Sequence, residues 1–154
     1  MLVIERRTMA AQIFDHEKLD VYRLAVEYVA DSFGIAKELS GLHRHSRDQW
    51  LRAAQSIPLN IAEGNGKRSL KDRGRYFDIA RGSALECSAI QDVLLVSGAI
   101  QVQTSDPLKG KLKRIVAMLT RLAIRSDRVS ESLAWYDTDT DYEHEHEHRF
   151  AEQE

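Results

Sequence analysis

The chain predicts an all-α fold, an antiparallel up-down-up-down four-helix bundle, and three observations carry that expectation. Apolar residues recur at three- and four-residue spacing over four separate segments. Glycines and capping residues punctuate the gaps between them. No comparably long alternating pattern suggests a sheet. Helices of about 20 to 30 residues joined by loops of about 5 to 9 place consecutive helices antiparallel.

The first helix is expected from Glu17 to Leu39, with Leu19, Tyr22, Val26, Val29, Phe33 and Ala36 as its buried stripe and Gly41 as its stop. The second starts near Ser46, whose hydroxyl can cap while Gln49 completes a capping box, and runs through Pro58 to Glu63. Gly64 and Gly66 then supply the break. Ser69 followed by Asp72 opens the third, with Tyr76, Ala80, Ser83, Cys87, Ile90, Leu94 and Ser97 in register and an end near Gly98. Asp106 and Pro107 read as N-cap and first residue of the fourth, whose stripe is Leu108, Leu112, Ile115, Leu119, Leu122, Ser126, Val129 and Leu133. Small residues Ala80, Gly82, Ser83, Ala84 and Ser88 invite close approach of another helix to the third.

The 154 residues, 43% hydrophobic, suit one domain with its own core. Three regions follow: an N-terminal extension at 1–14, the bundle at 15–136, and an acidic, His-rich tail at 137–154 that is expected to be disordered. No run approaches about 18 consecutive apolar residues, and no secretory signal is read at the N-terminus, so a cytoplasmic protein without membrane contact is expected. Cys87 is the single cysteine; no intrachain disulfide can form, and its apolar neighbours suggest a buried thiol. The net charge of −2 conceals an asymmetry. Residues 137–154 hold eight acids and one base, which leaves 21 bases against 16 acids in residues 1–136. A basic body attracts phosphate backbones, and an acidic tail competes for the same surface or keeps an assembly soluble.

Residues 56–67 carry the most information. Pro58 lies inside a helical pattern, where it deletes a backbone donor and presses on the preceding turn, at a cost of roughly 3 kcal/mol in an ordinary helix interior. Ser56, Asn60 and Glu63 share one face beside the apolar stripe of Ala54, Ile57 and Ile61. A kinked helix with a polar stripe next to its core stripe is expected. Gln49, Arg52, Ser83 and Glu86 are candidate partners from the same and a neighbouring helix. The expected structural polar network is thus Gln49, Ser56, Asn60, Glu63, Ser83 and Glu86, with Glu63 as a structural acid and a ligand site of unknown kind as the alternative.

Gln49, Arg52, Ala53 and Ala54 before this block, Gly64 and Ser69 after it, and Gly82, Ser83, Leu85 and Glu86 further on resemble the four-helix-bundle proteins encoded in intervening sequences of bacterial 23S ribosomal RNA genes. The resemblance covers about residues 15 to 125. That family is similar in turn to the accessory variability determinant proteins of diversity-generating retroelements. The resemblance implies a ring-like homopentamer, and its retroelement branch implies nucleic acid and a reverse transcriptase as partners. The acidic His-rich tail is not part of the family's pattern.

Enzymatic readings find little support. A di-iron carboxylate bundle needs Glu-x-x-His on two helices, yet His16, His43 and His45 stand at helix margins and none follows a Glu by three. Glu145 and His148 have that spacing but lie in the tail, where His144, His146 and His148 could chelate a metal without forming a core site. Gly64-Asn65-Gly66-Lys67 lacks the spacing and the preceding strand of a phosphate loop. No enzyme activity and no cofactor are expected.

Basic residues flank the proline block. Arg44, Arg47 and Arg52 stand at and inside the second helix's start; Lys67, Arg68, Lys71, Arg73 and Arg75 crowd the start of the third. Lys109, Lys111, Lys113 and Arg114 add a patch on the fourth. Cations at helix N-termini oppose the macrodipole, so they are not placed there for helix stability. The first eight are the candidate nucleic-acid contacts, with Trp50 and Tyr76 the nearest aromatics, and binding is expected to be phosphate-dominated. The expected function is a non-enzymatic oligomer, a ring and by resemblance a pentamer, that presents a basic surface to RNA, DNA or a reverse-transcriptase-like protein. A protein-interaction scaffold that binds no nucleic acid is the alternative.

Overall fold

The computed structural model describes the backbone of residues 12–151 and the side chains of residues 12–135. Helices α1 (Asp20–Ala36), α2 (Arg44–Gly66), α3 (Leu70–Val96) and α4 (Val102–Ala151) follow one another, with no strand among the described residues. Short 3₁₀ turns at Asp15–Lys18 and Gly41–His43 precede α1 and α2. Each helix packs on its neighbours in sequence, and α1 closes the square by packing on α4. Contacts fix the antiparallel sense. Ser56 meets Ser83 and Gly64 meets Tyr76 across α2 and α3, while Arg81 meets Thr120 and Asp92 meets Lys109 across α3 and α4.

The core is continuous through all four helices and includes Ala25, Trp50, Ile57, Ile61, Phe77, Leu94, Ile115 and Leu119. In α3 the expected stripe holds at Ala80, Ser83, Cys87, Ile90 and Leu94, but Phe77 rather than Tyr76 turns inward. In α1 the expected stripe is one position out of register: Val21, Leu24, Ala25, Tyr28, Ser32 and Ala36 are buried, while Phe33 is exposed. Both stripes are apolar enough to serve, and Tyr28 and Ser32 are buried because their hydroxyls find partners inside. Val26 and Val29 instead edge a shallow apolar groove with Gln55, Pro58 and Leu59.

Helix ends also differ from expectation. α2 begins at Arg44 after the 3₁₀ turn, with no side-chain cap, so Ser46 and Gln49 do not form a capping box. It then runs as one helix through Pro58. Gly64 is helical and buried rather than a break, because a Cβ there would lie 2.9 Å from Tyr76 Cβ and 3.2 Å from Phe77 Cε1. The glycine lets α3 approach. α4 begins five residues before Pro107, so Asp106 is not its cap; Pro107 lies inside the helix, in its second turn. Ser69 does cap α3, accepting from Asp72 N at 3.3 Å. Gly98, at φ 76°, takes the left-handed conformation that ends α3, with Ala99 N donating to Leu94 O at 2.9 Å.

The bundle boundary expected at residue 136 falls within α4, whose backbone continues helically to Ala151. Most of the N-terminal extension and the tail side chains, with His144, His146 and His148, lie outside the described residues. No helix among the described residues is long and apolar enough to cross a membrane.

Candidate functional site

Around the proline, side chains add polar contacts to α2. Asn60 Nδ2 donates to Ser56 O at 2.8 Å and lies 3.0 Å from Ser56 Oγ. Ser56 Oγ and Ser83 Oγ are hydrogen-bonded at 2.8 Å, and Ser83 Oγ is 3.1 Å from Ile79 O. Gln49 Nε2 reaches Glu86 Oε1 at 3.4 Å, a longer and more exposed link. These contacts tie α2 to α3, and the inward side of the same turn is filled by Ala54, Ile57 and Ile61, all fully buried.

Glu63 is not in this network. It is exposed and pairs with Lys67 Nζ at 3.2 Å, one turn on, in a contact with solvent on most sides. It stands seven residues from Ser56 but on the solvent side of the α2–α3 contact, which continues through the adjacent Gly64 to Tyr76 and Phe77. Lys67 also lies 4.8 Å above the Tyr76 ring, and the hydrogen bond it donates to Glu63, followed by the charge an ionised Tyr76 would carry, raises its pKa.

His45, Asp48, Gln49, Arg52, Ala53, Ser56, Ser83 and Glu86 line an open groove of about 540 Å³ between α2 and α3. His45 and Asp48 join it because they stand one turn before Gln49 and Arg52; helical spacing from those two residues locates them. The groove holds no nucleophile paired to a base, since its two serines bond one another. Among the described residues no group of His, Cys, Asp or Glu is arranged to hold a metal ion.

The basic residues do not form one cluster. Arg44, Arg47 and Arg52 lie in the amino-terminal turns of α2, while Lys67, Arg68, Lys71, Arg73 and Arg75 lie at its carboxyl end and the start of α3, about 22 to 35 Å away along the helix. Several are engaged: Arg47 with Asp48 and Leu39 O, Lys67 with Glu63, and Arg73 with Asn65 Oδ1. Arg44, Arg52, Arg68, Lys71 and Arg75 have no such partner among the described residues. On α4, Lys109 pairs with Asp92, and Lys111 reaches Asp31 at 2.6 Å and Glu27 at 3.4 Å. Trp50 is fully buried and unavailable for stacking on a base.

A second polar network passed unnoticed in the sequence. Trp50 Nε1 donates to Tyr28 Oη at 2.9 Å, Tyr28 Oη donates to Gln91 Oε1 at 2.6 Å, and Gln91 Nε2 donates to Ser105 Oγ at 3.2 Å. One residue from each helix takes part, and all four are buried. Burial, followed by the charge an ionised Cys87 would place beside it, pushes the Tyr28 phenol far above its ordinary range. Burial likewise pushes the Cys87 thiol up to about 12, and the thiol is free. A pair of neutral groups this deep serves structure, not nucleophilic chemistry.

Residues 17–121, which include all of α1 to α3, the groove and the first part of α4, match the family of 23S rRNA-intervening sequence proteins. The chain belongs to that family. As a 23S rRNA-intervening sequence protein it shares its fold with the crystal structure of a protein of unknown function from the S23 ribosomal protein family of Bacteroides thetaiotaomicron. The TM-score is 0.63 at 21% identity, over 67% of this chain and 97% of that one. No curated protein matches the chain. Arg125, Arg128 and the tail of this 23S rRNA-intervening sequence protein lie beyond the matched segment.

Proposed function

We propose that this protein is a non-enzymatic cytoplasmic oligomer, a ring and by family resemblance a pentamer, whose basic surface engages the phosphates of nucleic acid or docks a nucleic-acid enzyme such as a reverse transcriptase. The observation that carries the nucleic-acid part is the amino end of α3. Arg68, Lys71 and Arg75 stand there exposed and without hydrogen-bond or ion-pair partners among the described residues, beside a helix end that is itself electropositive. Assembly is supported by the outer face of α3, where Gly82, Leu85, Ala89, Val93 and Val96 are exposed on a helix that is apolar on its inner side as well. An exposed apolar strip opposite a buried one calls for a partner on both sides.

The test is binding of random-sequence duplex and single strand across a salt series, with light scattering on the same samples. Affinity should fall steeply with salt, at about −0.9 in log-log slope per duplex phosphate neutralised. Removing residues 137–154 should strengthen binding, because a segment with eight acids and one base repels a polyanion held near it. A species near 17.6 kDa at micromolar concentration would argue against assembly. Absence of binding at low salt, with and without the tail, would favour the protein-scaffold reading, which the apolar face of α3 also supports.

A further inference from the structure

The fourth helix carries a feature that its family match does not contain in full. Arg114, Arg121, Arg125 and Arg128 recur at i, i+7, i+11 and i+14, so they fall within one narrow face of α4, on the side away from Leu108, Leu112, Ile115 and Leu119. All four are exposed, and none has a hydrogen bond or ion pair among the described residues. The contrast with the flanks of the same helix is sharp. Toward α3, Lys109 pairs with Asp92 and Thr120 accepts from Arg81; toward α1, Lys111 pairs with Asp31 and Glu27. Cations of α4 are therefore neutralised where they border another helix and left open on the outer face.

The spacing makes this a cost to the isolated subunit. Arg121 and Arg125 are four apart and Arg125 and Arg128 three apart, so like charges adjoin on the helix surface, an arrangement that destabilises it. The row spans about 21 Å of a single rigid rod. Between and beside the arginines lie Ala117 and Ile124, with no Asn or Gln to read bases, and the ring nearest the row is the exposed Trp135, seven residues beyond Arg128. The protein's own acidic segment cannot cover the row in this conformation, since α4 continues helically from Arg128 to Ala151 and carries that segment onward along the axis.

We propose that this arginine row is the main phosphate-tracking surface of the protein, along which a nucleic-acid backbone lies roughly parallel to the α4 axis without base readout. The proposal rests on the nucleic-acid reading above and moves its centre from the ends of α2 and α3 to the outer face of α4. A linear polyanion fits a straight cationic row: a duplex presents one charge per about 1.7 Å of axis, so about 12 phosphate charges run beside these four guanidinium groups. Phosphate recognition is also what a guanidinium fork does better than an ammonium.

The experiment compares three forms of the full chain on one random-sequence DNA duplex across a salt series: wild type, R114Q/R121Q/R125Q/R128Q, and R68Q/K71Q/R75Q. A double variant, R125Q/R128Q, stands in should the quadruple one alter melting or oligomer size. The α4 variant is expected to lose about 3 to 4 from the magnitude of the log-log salt slope, the double variant about 2, and the α3 variant less than either. A slope that drops in the α3 variant and not in the α4 variants overturns the assignment to α4 and leaves the nucleic-acid reading standing. If wild type binds no duplex at low salt, with or without residues 137–154, both fail together. Binding of poly-glutamate without binding of duplex also overturns the proposal and makes an acidic protein the occupant.

Discussion

Tyr28 Oη donates to Gln91 Oε1 at 2.6 Å in the centre of the bundle, and through this one bond the polar atoms of α1 and α3 meet across the diagonal of the square. Trp50 donates into the same hydroxyl, and Gln91 continues to Ser105. The arrangement satisfies every member and leaves no buried side-chain polar atom unpaired among the described residues. It also fixes the rotation of each helix, because only one register of α1 brings Tyr28 to Gln91.

Tyr28→Phe removes the acceptor of Trp50 and the donor to Gln91 at once. The variant is expected to lose about 2 to 3 kcal/mol, within the range for orphaned buried polar groups. Urea denaturation of wild type and variant at equal concentration measures it; a loss below about 0.5 kcal/mol would show that water or a rotated Gln91 replaces the hydroxyl.

Glycines at two positions of the bundle are expected to respond in opposite directions. Gly64→Ala places a methyl 2.9 Å from Tyr76 Cβ and 3.3 Å from the Arg73 carbonyl, so the helices must separate, at about 1 to 3 kcal/mol. At Gly82 the added Cβ meets nothing within 4 Å, and alanine should add about 0.5 to 1 kcal/mol to the subunit by helix propensity. Thermal melts of both variants check the pair. Light scattering of Gly82→Ala adds a separate readout, since the methyl projects from the face proposed for assembly.

Glu63→Ala should leave the melting temperature and the oligomer unchanged. The carboxylate is 52% exposed and holds only Lys67, so nothing buried loses a partner. A substantial drop in melting temperature would place Glu63 in a contact between subunits.

Stability should fall in alkali. Folded Cys87 keeps its proton to about pH 12, against an ordinary 9.0, and burial raises Tyr28 above its ordinary 10.0 in the same sense. Above pH 9 the unfolded chain binds fewer protons than the folded one, so stability is full below pH 9 and declines as pH rises, by up to about 1.4 kcal/mol per unit for each group. Cys87→Ala should flatten the part of this decline that begins near pH 9. Thiol titration at pH 8 should find no reaction in the native protein and one equivalent after denaturation.

The helical period, the four segments, the Ser69 cap and most of the core of α3 and α4 could be read from the chain, because each is written in spacing that local geometry translates directly. The Ser56–Asn60 contact of the proline block could be read too, since residues four apart on a helix are neighbours wherever it packs, whereas the bond to Ser83 depends on α3 lying beside α2. What tertiary structure decided was the rotation of α1, the place of Glu63 and the meaning of Gly64. Two apolar stripes on α1 competed, and only Gln91 and Trp50, distant in sequence, selected the one containing Tyr28. Gly64 has the composition of a break, and only the approach of Tyr76 and Phe77 makes it a contact. Charges followed the same division. Sequence counts the basic residues, but it cannot pair Lys109 with Asp92 or Lys111 with Asp31, and so cannot say that the unpaired arginines remain on the outer face of α4. Pairing is set by which helices lie side by side, and that is a property of the packed bundle.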